Sequence, residues 1–252
     1  MYTTENFLSD NCFVADARDY LPQHRTREWR KRQLDDLHGM VWHQTLSSSS
    51  AQAVASYHVG PNHISSAGLP AISYTFFIEP TGNALLCNPI EDITYSQGDR
   101  TQPGDENRRY IAVCFGGNFG APGYIGSDHV TAEQMHTGLK LWLACCRVFG
   151  WSGRQLYGHY HFGKPQCPGI DLSNLIESIQ DADESTAYRY DFDTTTGRQE
   201  ALREAGHYDG PIDDLWGMQS RRALVAYQQA AGLTVDGTWG PETERALRRD
   251  TR

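Results

Sequence analysis

Apolar positions in this chain fall into two kinds of run, one with the period of a strand and one with the period of a helix. Gly39 to Thr45 (GMVWHQT) is strand-like and is followed by four serines at 47–50. Alternate residues of a strand share a face, which puts Val41, His43 and Thr45 on one side and Met40, Trp42 and Gln44 on the other. Ile72 to Ile78 (ISYTFFI) predicts a second strand, with Tyr74 on the face of Phe76 and Ile78. Pro80-Thr81-Gly82-Asn83 then turns the chain into a return strand over Ala84 to Leu86. Tyr110 to Phe115 (YIAVCF) is apolar throughout, as a central strand covered on both faces would be.

Helical spacing appears in Ala51 to Tyr57 and again after Thr131, where Thr131 and Gln134 form a capping-box pair. That helix carries Met135, Leu139, Trp142, Leu143 and Cys146 on one stripe and stops at Gly150; Asp171 to Ile179 predicts the last helix of this part. Residues 1–38 read as irregular and polar, with a solvated basic stretch from His24 to Arg32. Strands interleaved with helices predict an α/β fold, a mixed central β-sheet flanked by helices, over residues 1–179.

Beyond it the pattern changes. Residues 180–193 are acidic and poor in apolar side chains, and read as a linker. Residues 194–252 hold an internal repeat at a spacing of 23: Asp213, Trp216, Gly217, Ser220, Arg222, Ala223 and Leu224 recur as Asp236, Trp239, Gly240, Thr243, Arg245, Ala246 and Leu247. With a helix over Arg198 to Ala205, stopped by Gly206, this predicts a second, small all-α three-helix domain, whose size suits binding better than chemistry.

Composition narrows the partners. The 252 residues carry a formal net charge of -9, which argues against nucleic acid, because phosphate binding needs clustered positive charge. No apolar run approaches the roughly 20 residues of a membrane span, so no membrane insertion is expected. The start, MYTTENFLSDNC, lacks the basic and apolar regions of a secretory signal. The expectation is a protein made in a bacterial cytosol, with its six cysteines reduced. Cys114, Cys145 and Cys146 lie in apolar runs and read as buried packing residues.

Cys167 differs. It sits in GHYHFGKPQCPG (158–169), which places His159, His161, Lys164 and Cys167 among glycines and prolines. His159 and Cys167, eight residues apart in a segment that must curl, suit two ligands of a zinc ion, and His43 can supply the third. Three protein ligands leave one position for water, and zinc lowers the pKa of that water to about 7. Tyr74 and Lys164 are then available donors to a developing oxyanion. The same spacing also fits a buried cysteine with scattered histidines and no metal, or a structural site with His161 as fourth ligand. His58 and His63 either line a substrate groove, the preferred reading, or are simply exposed.

Four segments together resemble the type 2 N-acetylmuramoyl-L-alanine amidases, a group that includes tailed-phage endolysins and the peptidoglycan recognition proteins. They are VWHQT (41–45), SYTFFIEPTG (73–82), IAVCFGGNF (111–119) and GHYHFGKPQCPG with the following Ile170-Asp171-Leu172, in the family's order over residues 25–179. The resemblance implies that His43, His159 and Cys167 bind one Zn2+ per chain and that Tyr74 is the catalytic tyrosine. The family's lysine or threonine two residues before the last ligand is Pro165 here, so Lys164 is expected to reach the oxyanion by a different loop path. His161 stands where an aspartate is usual and is expected to be structural, and Cys114 stands where some branches carry a glutamate. Thr45 and His63 are expected to touch substrate.

The last 55 or so residues, with LTVDGTWGPETERAL at 233–247, resemble the peptidoglycan-binding three-helix domain of cell-wall hydrolases. The implied activity is zinc-dependent cleavage of the amide between N-acetylmuramic acid and L-alanine by a monomeric phage or prophage endolysin. Such an enzyme would reach the wall by a holin-type route. A non-catalytic peptidoglycan recognition protein and a zinc peptidase acting within the stem peptide are the alternatives.

Overall fold

A computed structural model of the chain describes residues 2–62, 65–98, 106–120, 125–186 (without the side chains of 183–186) and 190–251. Two compact units divide it: Met1–Ala144 with Arg154–Gln180, and Cys145–Gly153 with Asp181–Arg252.

The first unit is built on a six-stranded sheet. Its strands are β1 (Val14–Asp16), β2 (Gly39–Gln44), β3 (Phe76–Ile78), β4 (Ala84–Leu86), β5 (Tyr110–Phe115) and β6 (Leu156–Gly158), in the spatial order β1-β4-β3-β5-β2-β6. Only the β3–β4 hairpin pairs antiparallel; every other neighbour is parallel. The helices are α1 (Thr4–Asp10), α2 (Ala51–Val59), α3 (Glu106–Arg109), α4 (Ala132–Phe149) and α5 (Ile170–Thr186). This is the mixed α/β layer expected, with the apolar run YIAVCF as a central strand between β3 and β2.

The alternation read from β2 decides which face holds the chemistry. Trp42 packs edge-on against Phe115 at 5.0 Å, and α4 covers them where Gly138 leaves room. A Cβ at Gly138 would lie 2.7 Å from the Phe115 ring, so the helix approaches the sheet closely only because that position is glycine. The opposite face carries His43 beside Cys114, which the register pairs directly. There Cys114, Phe77, Ile72, Ala51 and Ala55 form a buried cluster against which Tyr74 packs. The capping box at α4 forms as expected: Gln134 N–H donates to Thr131 Oγ1 (3.0 Å) and Thr131 N–H to Gln134 Oε1 (3.1 Å).

Three elements differ from expectation. The strand expected over 72–78 is ordered as a strand only from Phe76, because side chains take the backbone groups before it. Ser73 N–H donates to His58 Nδ1 (3.1 Å), and Asn88 Nδ2 donates to the carbonyls of Ile72 and Tyr74 (2.7 Å each). Residues 2–38 are irregular only in part: α1 is capped by Thr3, β1 adds an edge strand beside β4, and Trp29 and Arg32 of the basic stretch are buried. The last helix of the unit runs on to Thr186, through half of the stretch read as linker.

The second unit has its own core of Leu202, Leu224, Tyr227 and Leu247 under α6 (Thr195–Glu204), α7 (Met218–Ala230) and α8 (Pro241–Asp250). The sequence repeat is also a structural one. Asp214 and Gly237, equivalent in the repeat, both take left-handed backbone (φ +61 and +64). Each unit of the repeat is tied to a buried glutamine. Gln199 Nε2 faces Asp213 Oδ1 (2.9 Å) and Leu215 O (3.0 Å), while Gln228 Nε2 faces Asp236 Oδ1 (2.9 Å) and Thr238 O (3.1 Å). Removing such a hub deletes several hydrogen bonds at once and unties the turn that they hold. Gln199→Ala is therefore expected to lower the unfolding midpoint of this unit in urea, while an exposed control such as Gln229→Ala leaves it in place.

Candidate metal centre

The site forms where two neighbouring parallel strands end. β2 and β6 pair with Trp42 beside Gly158, so the next residue of each, His43 and His159, emerges at the same edge although 116 positions separate them. Their Nδ1 atoms are 3.1 Å apart. After His159 the chain makes one tight turn, His159–Phe162, closed by Gly163 at φ +80. It then folds back through Lys164 N–H to His159 O (3.3 Å), Cys167 N–H to Lys164 O (2.9 Å) and Tyr160 N–H to Cys167 O (2.8 Å). The result places Cys167 Sγ 4.0 Å from His43 Nδ1, with the three ligand atoms all within 4.8 Å of one another. The Cys167–Pro168 peptide is cis.

The donors suit a zinc ion. Zinc bonds of about 2.0–2.1 Å to nitrogen and about 2.3 Å to sulfur imply tetrahedral edges of about 3.4 and about 3.6 Å. The observed 3.1 and 4.0 Å lie on either side of these lengths, within half an ångström or so of each. The tautomers point the same way. His159 Nε2–H donates to the carbonyl of Gln97 (3.0 Å), so its Nδ1 carries a lone pair toward His43. His43 Nε2 is buried with no hydrogen-bond partner among the described residues. Without an ion, His43 either aims a second lone pair at His159 or leaves Nε2 a bare acceptor; a cation among the donors removes the first conflict.

Electrostatics agree. Burial, then the neighbouring His159, holds the His43 pKa well below 6.5, so the ring stays neutral as a ligand must. Burial pushes the Cys167 thiol up to about 12, opposed by the Gln44 N–H that donates to Sγ at 3.3 Å. A nearby divalent cation reverses that preference and favours the thiolate. Because unfolded His43 titrates near 6.5 and folded His43 well below it, the unfolded metal-free chain takes up a proton that the folded chain refuses. Chelator-treated protein is thus expected to lose stability as pH falls from about 7.5 to about 5.5, read as a lower urea midpoint. The His43→Asn variant should show a flatter dependence.

The other expected site residues divide. Tyr74 lies beside the triad, its ring 5.3 Å from His43. Burial first, then Cys114 and Cys167, raises its pKa well above 10, and its hydroxyl bonds the Cys114 thiol, so it remains a neutral O–H donor. Lys164 contributes its main chain to the loop, while its side chain is exposed and no contact to the triad forms. His161 is outside the ligand group, packed against Tyr157 and Tyr160. Thr45 does not present its hydroxyl to a groove: Oγ1 donates to carbonyls of Ser47 and Gly117 and accepts from Gly117 N–H (2.8 Å), pinning two loops. His58, expected in a groove, is only 5% exposed and accepts from Ser73 N–H while its ring sits 5.8 Å from Tyr74. His63 lies outside the described residues.

Two contributors had no role in the sequence reading. Gln44 ties the loops around the site, donating to Gly120 O (3.2 Å) and to Gln166 O, and accepting from Phe119 N–H (2.7 Å). Its place at a strand end, next to a ligand, was the available signal. Gln97 acts through its main-chain carbonyl, which no side-chain pattern reveals.

The family described as N-acetylmuramoyl-L-alanine amidase matches residues 33–170, more than half of the chain. The chain belongs to the N-acetylmuramoyl-L-alanine amidase family. Its matched span contains His43, Tyr74, His159 and Cys167, and residues 198–247 match the peptidoglycan binding domain family. A stretch of 49 residues is 45% identical to N-acetylmuramoyl-L-alanine amidase CwlM of Mycobacterium tuberculosis (strain ATCC 25618 / H37Rv), covering 19% of this chain and only 12% of that protein.

Among solved structures, the amidase LysC from Clostridium intestinale URNW is 18% identical over 67% of this chain and 97% of its own, with a TM-score of 0.46. Peptidoglycan recognition protein-LE, solved with tracheal cytotoxin, is 18% identical over 66% of this chain and 94% of its own, with a TM-score of 0.50. The latter likeness is one of fold. Among the described residues, no helix is long and apolar enough to cross a membrane.

Proposed function

We propose that this chain is a zinc-dependent amidase that hydrolyses the amide between the lactyl group of N-acetylmuramic acid and L-alanine of the peptidoglycan stem peptide. One observation carries the reading: the buried side chains of His43, His159 and Cys167 converge with their ligand atoms within 4.8 Å, and Tyr74 stands beside them. Zinc, when bound, polarises the scissile carbonyl and makes the attacking water more acidic.

The chain's residues supply the rest. His43 stays neutral, His159 is held in one tautomer by Gln97, and the Gln44 N–H supports the Cys167 sulfur. Tyr74 keeps its proton and, turning its O–H from the Cys114 thiol, donates a hydrogen bond to the carbonyl oxygen as negative charge develops there. Water oxygen bonds to the carbonyl carbon, the carbon–nitrogen bond breaks, and the alanine nitrogen leaves with a proton. Lys164, exposed on the loop between two ligands, is the second donor in this reading, reaching the oxyanion once substrate lies over the loop. Lys164→Ala is expected to slow turnover by about 10²-fold, the mild end for a lost donor, with zinc content unchanged.

The C-terminal unit serves to keep the enzyme on its polymer, raising the effective concentration of cleavable bonds. A wall hydrolase joined to a wall-binding region suits a lytic enzyme of the endolysin type, acting as a monomer with one zinc per chain. Mass spectrometry of purified peptidoglycan digested by the zinc-loaded chain tests the bond assigned. Stem peptides released with a free L-alanine amino terminus support it. Unchanged muropeptides would point to a recognition protein, and shortened stem peptides to a peptidase; either outcome overturns the assignment.

A further inference from the structure

The ligand His159 is held from behind by a chain of hydrogen bonds that begins in the basic stretch near the start of the protein. Its Nε2–H donates to Gln97 O at 3.0 Å. Gln97 is fully buried, and its own N–H donates to the side-chain Oδ1 of Asn107 at 3.0 Å. Asn107 is fixed in turn by Arg32. The Arg32 guanidinium lies buried with Nη1 donating to the carbonyls of Asn107 (2.8 Å), Arg108 (3.2 Å) and Tyr110 (3.0 Å), while Nε donates to Ile90 O (2.8 Å).

Tyr110 is also the first residue of β5, and its register partner Gly39 is the first residue of β2, the strand that ends in His43. One buried guanidinium therefore fastens both the start of the strand beside the first ligand's strand and the loop carbonyl that orients the second ligand.

We propose that Asn107, held in place by Arg32, is a positioning residue for the metal centre. It fixes the Gln97 carbonyl so that His159 keeps its proton on Nε2 and presents Nδ1 toward His43 and Cys167. This rests on the metal-site reading above. The physical ground is general: a ligating imidazole gains orientation and basicity from the group that binds its other nitrogen, and loss of that partner weakens metal binding by about 10–100-fold. Asn107 acts one bond further back, so its loss moves the carbonyl without removing it, and the effect falls near the lower end of that range.

The test uses the full chain with zinc as the probe. Zinc affinity is measured by competition with a chromophoric chelator for the unaltered chain, for Asn107→Ala and for Asn107→Asp, which keeps an oxygen acceptor for Gln97 N–H. Asn107→Ala is expected to bind zinc about tenfold more weakly, with Asn107→Asp close to the unaltered chain. Long-range proton–nitrogen NMR of the metal-free chain reads the His159 ring directly. The Nε2–H tautomer should dominate in the unaltered chain and give way to a mixture in Asn107→Ala.

Equal zinc affinity and an unchanged tautomer in Asn107→Ala would overturn the proposal, even if that variant melted earlier, because a purely structural role predicts that pattern. If the unaltered chain bound no zinc, the metal-site reading would fall, while the tautomer measurement would still decide whether Asn107 positions His159.

Discussion

Cys167→Ala is expected to remove zinc binding and with it the hydrolysis of peptidoglycan. The sulfur is the one anionic donor in the triad, and the pocket around it is buried, so water entering the space left by alanine offers no charge to balance the cation. Loss of an outer partner of a metal ligand already weakens binding by about 10–100-fold, and loss of the ligand itself should exceed that range. Calorimetric titration with zinc is the check, with circular dichroism to show that the fold survives. Cys167 is 8% exposed, and although its sulfur accepts from Gln44 N–H, its main chain holds the loop through Tyr160 N–H and Lys164 O, so the loop is expected to persist. Zinc binding unchanged in the variant would mean that the sulfur is not a ligand.

Tyr74→Phe should separate chemistry from metal binding. The phenol touches no ligand atom that holds the ion in this reading, yet its ring stands 5.3 Å from that of His43 and its proton is retained by burial. Removing one preorganised donor to an oxyanion reduces turnover by about 10²–10³-fold. The expected result is therefore a fall of that size in kcat on a soluble muropeptide, with zinc content and zinc affinity unchanged. Loss of zinc together with activity would assign Tyr74 to packing around the ligands instead. The hydrogen bond from Tyr74 to Cys114 makes this a real alternative, because phenylalanine also frees that buried thiol.

The triad was legible because its residues sit at points that physical rules mark. His43 ends an apolar strand, and His159 and Cys167 flank a segment that glycine and proline force to curl. The register of β2 against β6 explains why residues 116 positions apart come together: two parallel strands in step deliver their next residues to the same edge. The α/β class followed from runs such as YIAVCF, whose unbroken apolarity requires cover on both faces, and the second unit from the Trp-Gly repeat.

What stayed hidden depends on partners distant in sequence. Ser73 and Tyr74 fit a strand pattern, but His58 and Asn88 take the hydrogen bonds that a strand would use. Thr45 looked like a substrate contact because it follows a ligand, whereas its hydroxyl is spent on the Gly117 loop. Arg32 looked solvated among other basic residues, yet its guanidinium is buried and Nη1 donates to the carbonyls of Asn107, Arg108 and Tyr110. Gln97 contributes a main-chain oxygen, which any residue type would offer, so composition carries no trace of it.

The measurement that bears most directly on the account is metal analysis of the purified full chain before and after exhaustive chelation, paired with hydrolysis of purified peptidoglycan. The triad predicts one zinc per chain, loss of hydrolysis with its removal, and recovery when zinc is returned. Chain that contains no zinc and hydrolyses peptidoglycan undiminished by chelator would contradict it.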